Sequence, residues 1–414
     1  MSVKINFIWV GQGDCTLIQT DTNKLVLIDC GTSDDMSIYA DNVKPTIEGI
    51  LKATGKKSID FLILTHSDKD HCNLIAKLFG FTTFDKAYYG GSSFQYSPFK
   101  IKLDPSDLSP EIKSVVNLTS HYTNLFIDTV INDPDCKLWI IGANFPYNQT
   151  PPSVPFAKDI NKPSNRKTKA TRAIFDNNGN SLMAVLDYKG FKMFFLGDAT
   201  IPEQDYIYEA AKTAGKLGDL QVKIFKMSHH GSPDSFSKDL TNNAAKPKGV
   251  TASAGVTFGH PSEQTINSIT SVNLSGALKH DLVMYDTDEE SYSRFFNADE
   301  FIFNTMTWFD ESSSTVPTHT PSGKRNRDPK AGLPYLEMIG TNWLFEIVSS
   351  TTANISQGAK KTILTTKGTE AVTAKKRKKK GAKFLAAPPV RARLVFPEEG
   401  PVQVFDLSDE PPQR

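Results

Sequence analysis

Five of the eight histidines in this chain fall into three short segments. His66 and His71 lie in THSDKDH (65–71), His229 and His230 in SHHGS (228–232), and His260 in GHP (259–261). The first segment adds Asp68 and Asp70, and Asp198 stands in LGDA (196–199). Imidazole and carboxylate are ligands for Zn, Mn and Fe. In an extended or turning loop, alternate residues point the same way. The adjacent pair Asp70–His71 can therefore diverge toward two neighbouring ions. A polar loop with Asp70 capping a helix over 72–80 would account for the first segment alone. It would not account for the other histidine segments or for Asp198. Two ions a few ångströms apart lower the pKa of a bridging water and clamp both attacking and leaving oxygens, so no protein nucleophile is required. Asp14 and Asp29 follow strands and are placed to orient the ligands from behind; for Asp14, in GQGD, turn capping is an equal alternative. The isolated His121, His280 and His319 read as surface or core residues, and Cys72 as a buried helix residue.

The residues that carry this chemistry need elements that end beside one another. INFIWV (5–10), CTLIQT (15–20), LVLIDC (25–30) and DFLIL (60–64) read as strands, as do KLWIIG (137–142), SLMAVLDY (181–188), FKMFFLG (191–197), QVKIFKM (221–227), VTASAG (250–255) and DLVMY (281–285). Helices are expected over 43–54, 106–127, 201–216 and about 261–271. A strand-rich order with interspersed helices, repeated in two halves, argues for an α/β chain whose helices cover sheets. After about residue 308 the composition changes. Residues 309–334 read as a linker, 335–350 as a strand-like segment, and 351–414 as a low-complexity basic tail.

The balance of 47 Lys+Arg against 46 Asp+Glu gives a formal charge of +1 over 414 residues. That excludes a globally basic nucleic-acid binder and an acidic disordered chain. Charge is local instead: Lys162, Arg166, Lys167, Lys169 and Arg172 share a polar loop, and KKRKKK occupies 375–380. Both are placed to neutralise backbone phosphates, although the second reads equally well as a solvated tail. The four cysteines show no paired spacing, which points to a reducing compartment. The longest apolar runs are far shorter than the roughly 20 residues of a membrane helix, and the N-terminus lacks signal-peptide anatomy. A cytoplasmic protein without membrane contact is expected.

The segments GQGD (11–14), IDCG (28–31), THSDKDH, LGDA, SHHGS and GHP occur in the order found in metallo-β-lactamase-fold hydrolases. Over roughly residues 3–300 the chain most resembles the branch related to the soluble hydrolase domain of the competence protein ComEC, whose Asn-x-x-Ser element matches Asn178 and Ser181. The resemblance implies an αββα sandwich, here over residues 1–308 with a C-terminal extension, and a dinuclear site at one edge. Asp198 would bridge the ions. His66 and Asp68, with one histidine of SHHGS, would hold one ion. Asp70 and His71, with His260 or the other histidine of that pair, would hold the second. The sequence does not assign His229 and His230 individually. Asp70, His71, Asp198 and His230 would carry catalysis, with Asp14, Asp29, Asn178 and Ser181 supporting the ligands. Asp68 stands where the superfamily usually has a second histidine. That hardens the site and moves the expected pair of divalent ions from Zn toward Mn or Mg. The expected activity is a metal-dependent phosphodiesterase or nuclease acting on nucleic acid or another diester. The alternatives are hydrolysis of a lactam, lactone or other ester, and a partner-gated module of a multi-protein system such as bacterial defence, engaged through the C-terminal extension.

Overall fold

The computed structural model describes residues 2–34, 36–118, 125–144, 177–254, 260, 265, 302–304, 306–309, 335–340, 342–357, 361–366, 391–395 and 403–406. In chain order its main elements begin with β1 (Val3–Phe7), β2 (Cys15–Gln19), β3 (Leu25–Cys30), helix α1 (Met36–Thr54), β4 (Ser58–Leu64), the single-turn helix α2 (Lys69–Cys72) and β5 (Thr83–Tyr89). Then come β6 (Leu103–Asp104), β7 (Asp107–Leu108), β8 (Val115–Asn117), β9 (Asp128–Asn132), β10 (Cys136–Gly142), β11 (Met183–Tyr188), β12 (Phe191–Phe195), helix α3 (Ile201–Thr213), β13 (Ile224–Lys226) and β14 (Gly249–Ala252). The remainder is β15 (Ile302–Asn304), β16 (Met306–Phe309), β17 (Tyr335–Gly340), β18 (Trp343–Ile347), β19 (Thr352–Gln357), β20 (Lys361–Thr366), β21 (Arg391–Val395) and β22 (Gln403–Asp406).

A ten-stranded sheet runs β22-β21-β19-β18-β1-β2-β3-β4-β5-β8, and a seven-stranded sheet runs β15-β14-β13-β12-β11-β10-β9. Strand β1 shows why they stack. Val3, Ile5 and Phe7 are buried while Lys4 and Asn6 are half-exposed, the period of two that gives a strand one apolar face. That face joins Ile18 and Val26 to Leu138, Ile140, Met183 and Phe194 of the second sheet in one continuous core. The opposite face of the first sheet, with Leu17, Leu27 and Leu62, is covered by Tyr39, Val43, Ile47 and Leu51 of α1. Helix α3 adds Ile207 and Ala211 to the inter-sheet cluster. The described residues thus form a mixed α/β fold of two large stacked sheets, two small ones (β16-β17-β20 and β6-β7) and few helices, consistent with a metallo-β-lactamase sandwich. No helix among the described residues is long and apolar enough to cross a membrane.

Two expectations change. Residues 106–127 hold no helix among the described positions; the chain makes β7 and β8 there, and β8 pairs in parallel with β5. Pro105 and Pro110 fall at the start of that stretch, and Val115–Val116 are β-branched. The first sheet also continues past the domain end placed at 308. Trp343, Phe345 and Ile347 alternate inward, β18 pairs antiparallel with β1, and β19, β21 and β22 follow outward in turn. Phe345 reaches Phe191 of the second sheet at a ring separation of 6.0 Å. The linker at 310–334, the strand at 281–285, most of the helix at 261–271, His121, His280 and His319, and KKRKKK lie outside the described residues.

Candidate metal centre

Every segment of the candidate site leaves a strand at the same edge. GQGD joins β1 to β2, Asp29 ends β3, THSDKDH follows β4, Asp198 follows β12, SHHG follows β13, and Ser253 follows β14. Open sheets with parallel strands collect ligands at the strands' carboxyl ends. Main-chain bonds stitch three of these segments together. Asp14 N–H donates to Asp70 O and Gly31 N–H to Asp14 O, both at 2.9 Å, and Leu74 N–H donates to Cys30 O at 3.0 Å. The SHHG turn is tied to the Asp198 loop by His229 N–H to Gly197 O at 3.1 Å and by Ser228 Oγ, which donates to Ala199 O at 2.5 Å.

Asp198 lies at the centre, almost fully buried. His71 Nε2 is 2.9 Å from its Oδ1. His66 Nε2 and His230 Nε2 are each 3.7 Å from its Oδ2, and His229 Nε2 is 3.9 Å away. His66 Nε2 also lies 3.6 Å from Asp68 Oδ2, while His230 Nε2 lies 3.3 Å from His71 Nε2 and 3.5 Å from Asp70 Oδ2. Most of these separations exceed a hydrogen bond. They match instead the edge of a tetrahedron around an ion with ligand distances near 2.1 Å, about 3.4 Å. Asp14, His71, Asp198 and His230 each offer one ligand atom, all within 4.8 Å of one another, and all four residues are buried. His66 Nε2 and Asp14 Oδ1 are buried without a hydrogen-bond partner. A cation satisfies both, so the residues present fit a metal.

The ligands' other ring nitrogens are spoken for. His71 Nδ1 meets Asp29 Oδ2 at 2.8 Å, and Asp29 is itself fixed by Thr65 N–H at 2.8 Å and Thr65 Oγ at 2.6 Å. His230 Nδ1 donates to Ser253 O at 2.7 Å. Each bond turns an Nε2 lone pair toward Asp198. The adjacent histidines therefore separate by geometry. His230 is buried beside Asp70 and His71, whereas the His229 side chain is 25% exposed and meets Asp234 Oδ1 through Nδ1 at 3.0 Å. Both residues hold left-handed φ values, 46° and 55°, as does Asp29 at 53°. Non-glycine residues pay strain there, and such strain gathers at functional sites.

Ser181 Oγ accepts from Asp198 N–H at 3.1 Å. It is Asn177, not Asn178, whose amide donates to Asp68 Oδ1, and Gln95 in turn donates to Asn177. Asp14 lies closer in than a supporting role requires: its carboxylate pairs with Lys226, and its main chain bonds to Asp70 and Gly31. His260 is placed beside His229, ring centroids 6.1 Å apart, with Gln12 Nε2 3.5 Å from its Nδ1, and is not among the four clustered donors. Lys162, Arg166, Lys167, Lys169 and Arg172 lie outside the described residues. Sequence reasoning missed Thr65, Asn177, Asp234 and Lys226. Only Lys226 left a signal: one lysine inside the apolar run IFKM.

Charges follow from this packing. Burial alone would push the His71 imidazole down, but Asp198 and Asp29 hold it well above its ordinary value. His230 is raised against its burial by Asp198 and Asp70, and His229 to about 9 by Asp234 and Asp198. Asp70 and Asp198 resist burial and are held low by the histidines. His260 is driven down to about 4, first by burial and then by His230 and His229. Ligand imidazoles must shed their protons to bind metal. Metal binding is therefore expected to release protons, and Mn or Zn affinity to rise by more than tenfold from pH 6 to pH 9. Calorimetry in buffers of different ionisation enthalpy reads both; a flat profile would refute the assignment. In the metal-free chain the raised histidines contribute stability below their ordinary 6.5, which is lost as pH climbs through their folded values. The depressed aspartates contribute above 3.8 and lose it on acidification. The metal-free form should melt highest between those limits.

Residues 8–135 match the model of the metallo-beta-lactamase superfamily. The chain carries a domain of that superfamily. No curated protein matches the chain in sequence. Among solved structures it is similar to CmlA, a diiron β-hydroxylase from Streptomyces venezuelae, at 10% identity and a TM-score of 0.33 over 63% of this chain and 45% of that one. The chain thus spans under half the length of CmlA. It is also similar to human tRNase Z, short form, at 10% identity and a TM-score of 0.31 over 61% and 91% of the two chains. A diphosphatase from the PhnP family matches at 12% identity and a TM-score of 0.30 over 61% and 86%. The matched residues run from just after β1 to the turn before β10, and so include Asp14, Asp29 and the whole of THSDKDH.

Proposed function

We propose that the chain is a metal-dependent hydrolase of phosphodiester bonds, acting on nucleic acid or a small diester in a cytoplasmic setting. The observation that carries this reading is the nest of buried donors around Asp198, spaced as ligand edges and holding polar atoms that nothing else satisfies. His66 and Asp68 on one side, Asp14, Asp70, His71 and His230 on the other, and Asp198 between them would hold two divalent ions. Once bound, such ions polarise the phosphoryl oxygens and supply a nucleophile from water at neutral pH. A carboxylate-rich donor set favours Mn or Mg over Zn, and Asp68 in place of the usual histidine supports the ComEC-like relationship.

The chain's own residues do the positioning. Asp29 and Ser253 fix the tautomers of His71 and His230, and Asn177 holds Asp68, whose side chain is 40% exposed. His229 stands at the open rim with its proton retained by Asp234. From there it can donate a hydrogen bond to a substrate oxygen.

A substrate panel with Mn, Mg or Zn tests the reading. It comprises bis-p-nitrophenyl phosphate, plasmid, linear double- and single-stranded DNA, RNA, a lactone and a β-lactam. Mn-loaded protein should cleave the diester and at least one nucleic acid, and EDTA should abolish both. Opening of the lactone or lactam alone would replace the phosphodiesterase reading. Activity that appears only with an added protein would favour the partner-gated reading.

A further inference from the structure

A lysine is buried inside this cluster of carboxylates. Lys226, the last residue of β13, pairs in register with Phe195 on one side and Thr251 on the other, and its side chain is 5% exposed. Its Nζ lies 2.6 Å from Asp14 Oδ2, across 212 residues of sequence. Oδ1 of the same carboxylate is buried with no hydrogen-bond partner, and Asp14 offers one of the four ligand atoms gathered with His71, Asp198 and His230. Among the described residues, Lys226 is the one lysine or arginine ion-paired to a carboxylate of the site; the other lysine pairs are on the surface.

We propose that Lys226 is the positioning residue of the metal centre: it grips one oxygen of Asp14 so that the carboxylate stays seated beside His71, Asp198 and His230 as a donor to the ion. This rests on the metal-centre reading above. The physical reason is the cost of a buried charge without a partner. With no ion bound, Lys226 is the one lysine or arginine among the described residues that pairs with Asp14. With an ion bound, the carboxylate gains a second cation. Loss of the lysine should therefore damage the metal-free chain far more than the loaded chain. The same division of labour explains a lysine in the middle of a buried strand, where packing alone would call for a valine or leucine.

Thermal unfolding with and without saturating Mn, together with Mn titration by calorimetry, tests the assignment on the full chain. The variants are Lys226→Met, Lys226→Arg and Asp14→Asn/Lys226→Met. Lys226→Met should lower the melting temperature of the metal-free form by several degrees. Mn should restore most of that loss, so its Mn-induced shift exceeds that of wild type. Lys226→Arg should recover part of the metal-free stability. The double variant leaves no unpaired charge, so it should fold even if Lys226→Met does not. It lacks the Asp14 donor, however, and should bind Mn at least tenfold more weakly than wild type. An equal loss in both forms of Lys226→Met, or wild-type Mn affinity in the double variant, would make the pair a plain packing contact and overturn the proposal. A wild-type chain that shows no Mn- or Zn-induced shift would instead overturn the metal-centre reading itself.

Discussion

Asp198→Ala is expected to cut phosphodiester hydrolysis by about a thousandfold or more, roughly 4 kcal/mol of barrier, and to remove most of the bound metal. Four imidazole nitrogens face this one carboxylate, at 2.9 to 3.9 Å. Among the described residues it is the one carboxylate that touches both the His66 side and the His71–His230 side of the site, so no neighbour there replaces it. Its backbone is held from behind by Ser181, so the loop should keep its path when the side chain is shortened. The variant should therefore fold, and circular dichroism with metal analysis on the same sample separates lost metal from lost structure. Asp187→Ala is the matched control. Asp187, next to last in β11, accepts from Gly190 N–H at 2.8 Å across a surface turn, and its loss should leave metal content and rate unchanged. Full metal occupancy in Asp198→Ala would remove the bridging role from this residue.

The parts of the site that the sequence disclosed are those whose chemistry is local. THSDKDH carries its ligands within seven residues, and a strand ending in such a run has few other readings. Partnerships across the fold left little trace. Nothing in the sequence ties Lys226 to Asp14, because the contact exists only once β13 of the second sheet lies over the GQGD turn of the first. His229 and His230 are identical neighbours, and only the left-handed backbone at both positions sends one inward and the other to the rim. The sheets were legible where apolar residues alternate or run together, as in β1 and β4. The C-terminal strands were not, since TANISQ and RARLV carry few large apolar side chains. The helix expected over 106–127 has Pro105 and Pro110 at its start and no sustained 3.6-residue apolar period.

Gly31→Ala is expected to unseat the metal loop without touching a single ligand. An added Cβ would lie 2.5 Å from the Asp70 carbonyl carbon and from the backbone nitrogens of His71 and Cys72. These are main-chain atoms inside α2, so no rotamer change can relieve the clash. Gly13 is boxed in the same way, its Cβ site 2.1 Å from Gly31 O and 2.8 Å from Asp70 O. Inserting a methyl group into such a contact typically costs about 1–3 kcal/mol. Here the strain falls on the bond from Asp14 N–H to Asp70 O, which sets the distance between two donor-bearing segments. Melting temperature should fall by several degrees, and Mn affinity should drop by more than tenfold, because displacement moves Asp70 and His71 together away from Asp198. Gly49→Ala supplies the contrast: it lies within α1 with nothing within 4 Å of the new Cβ, so it should stabilise the chain by up to about 1 kcal/mol. If Gly31→Ala kept wild-type stability and metal affinity, the close approach of the GQGD turn, β3 and THSDKDH would not be what positions the ligands.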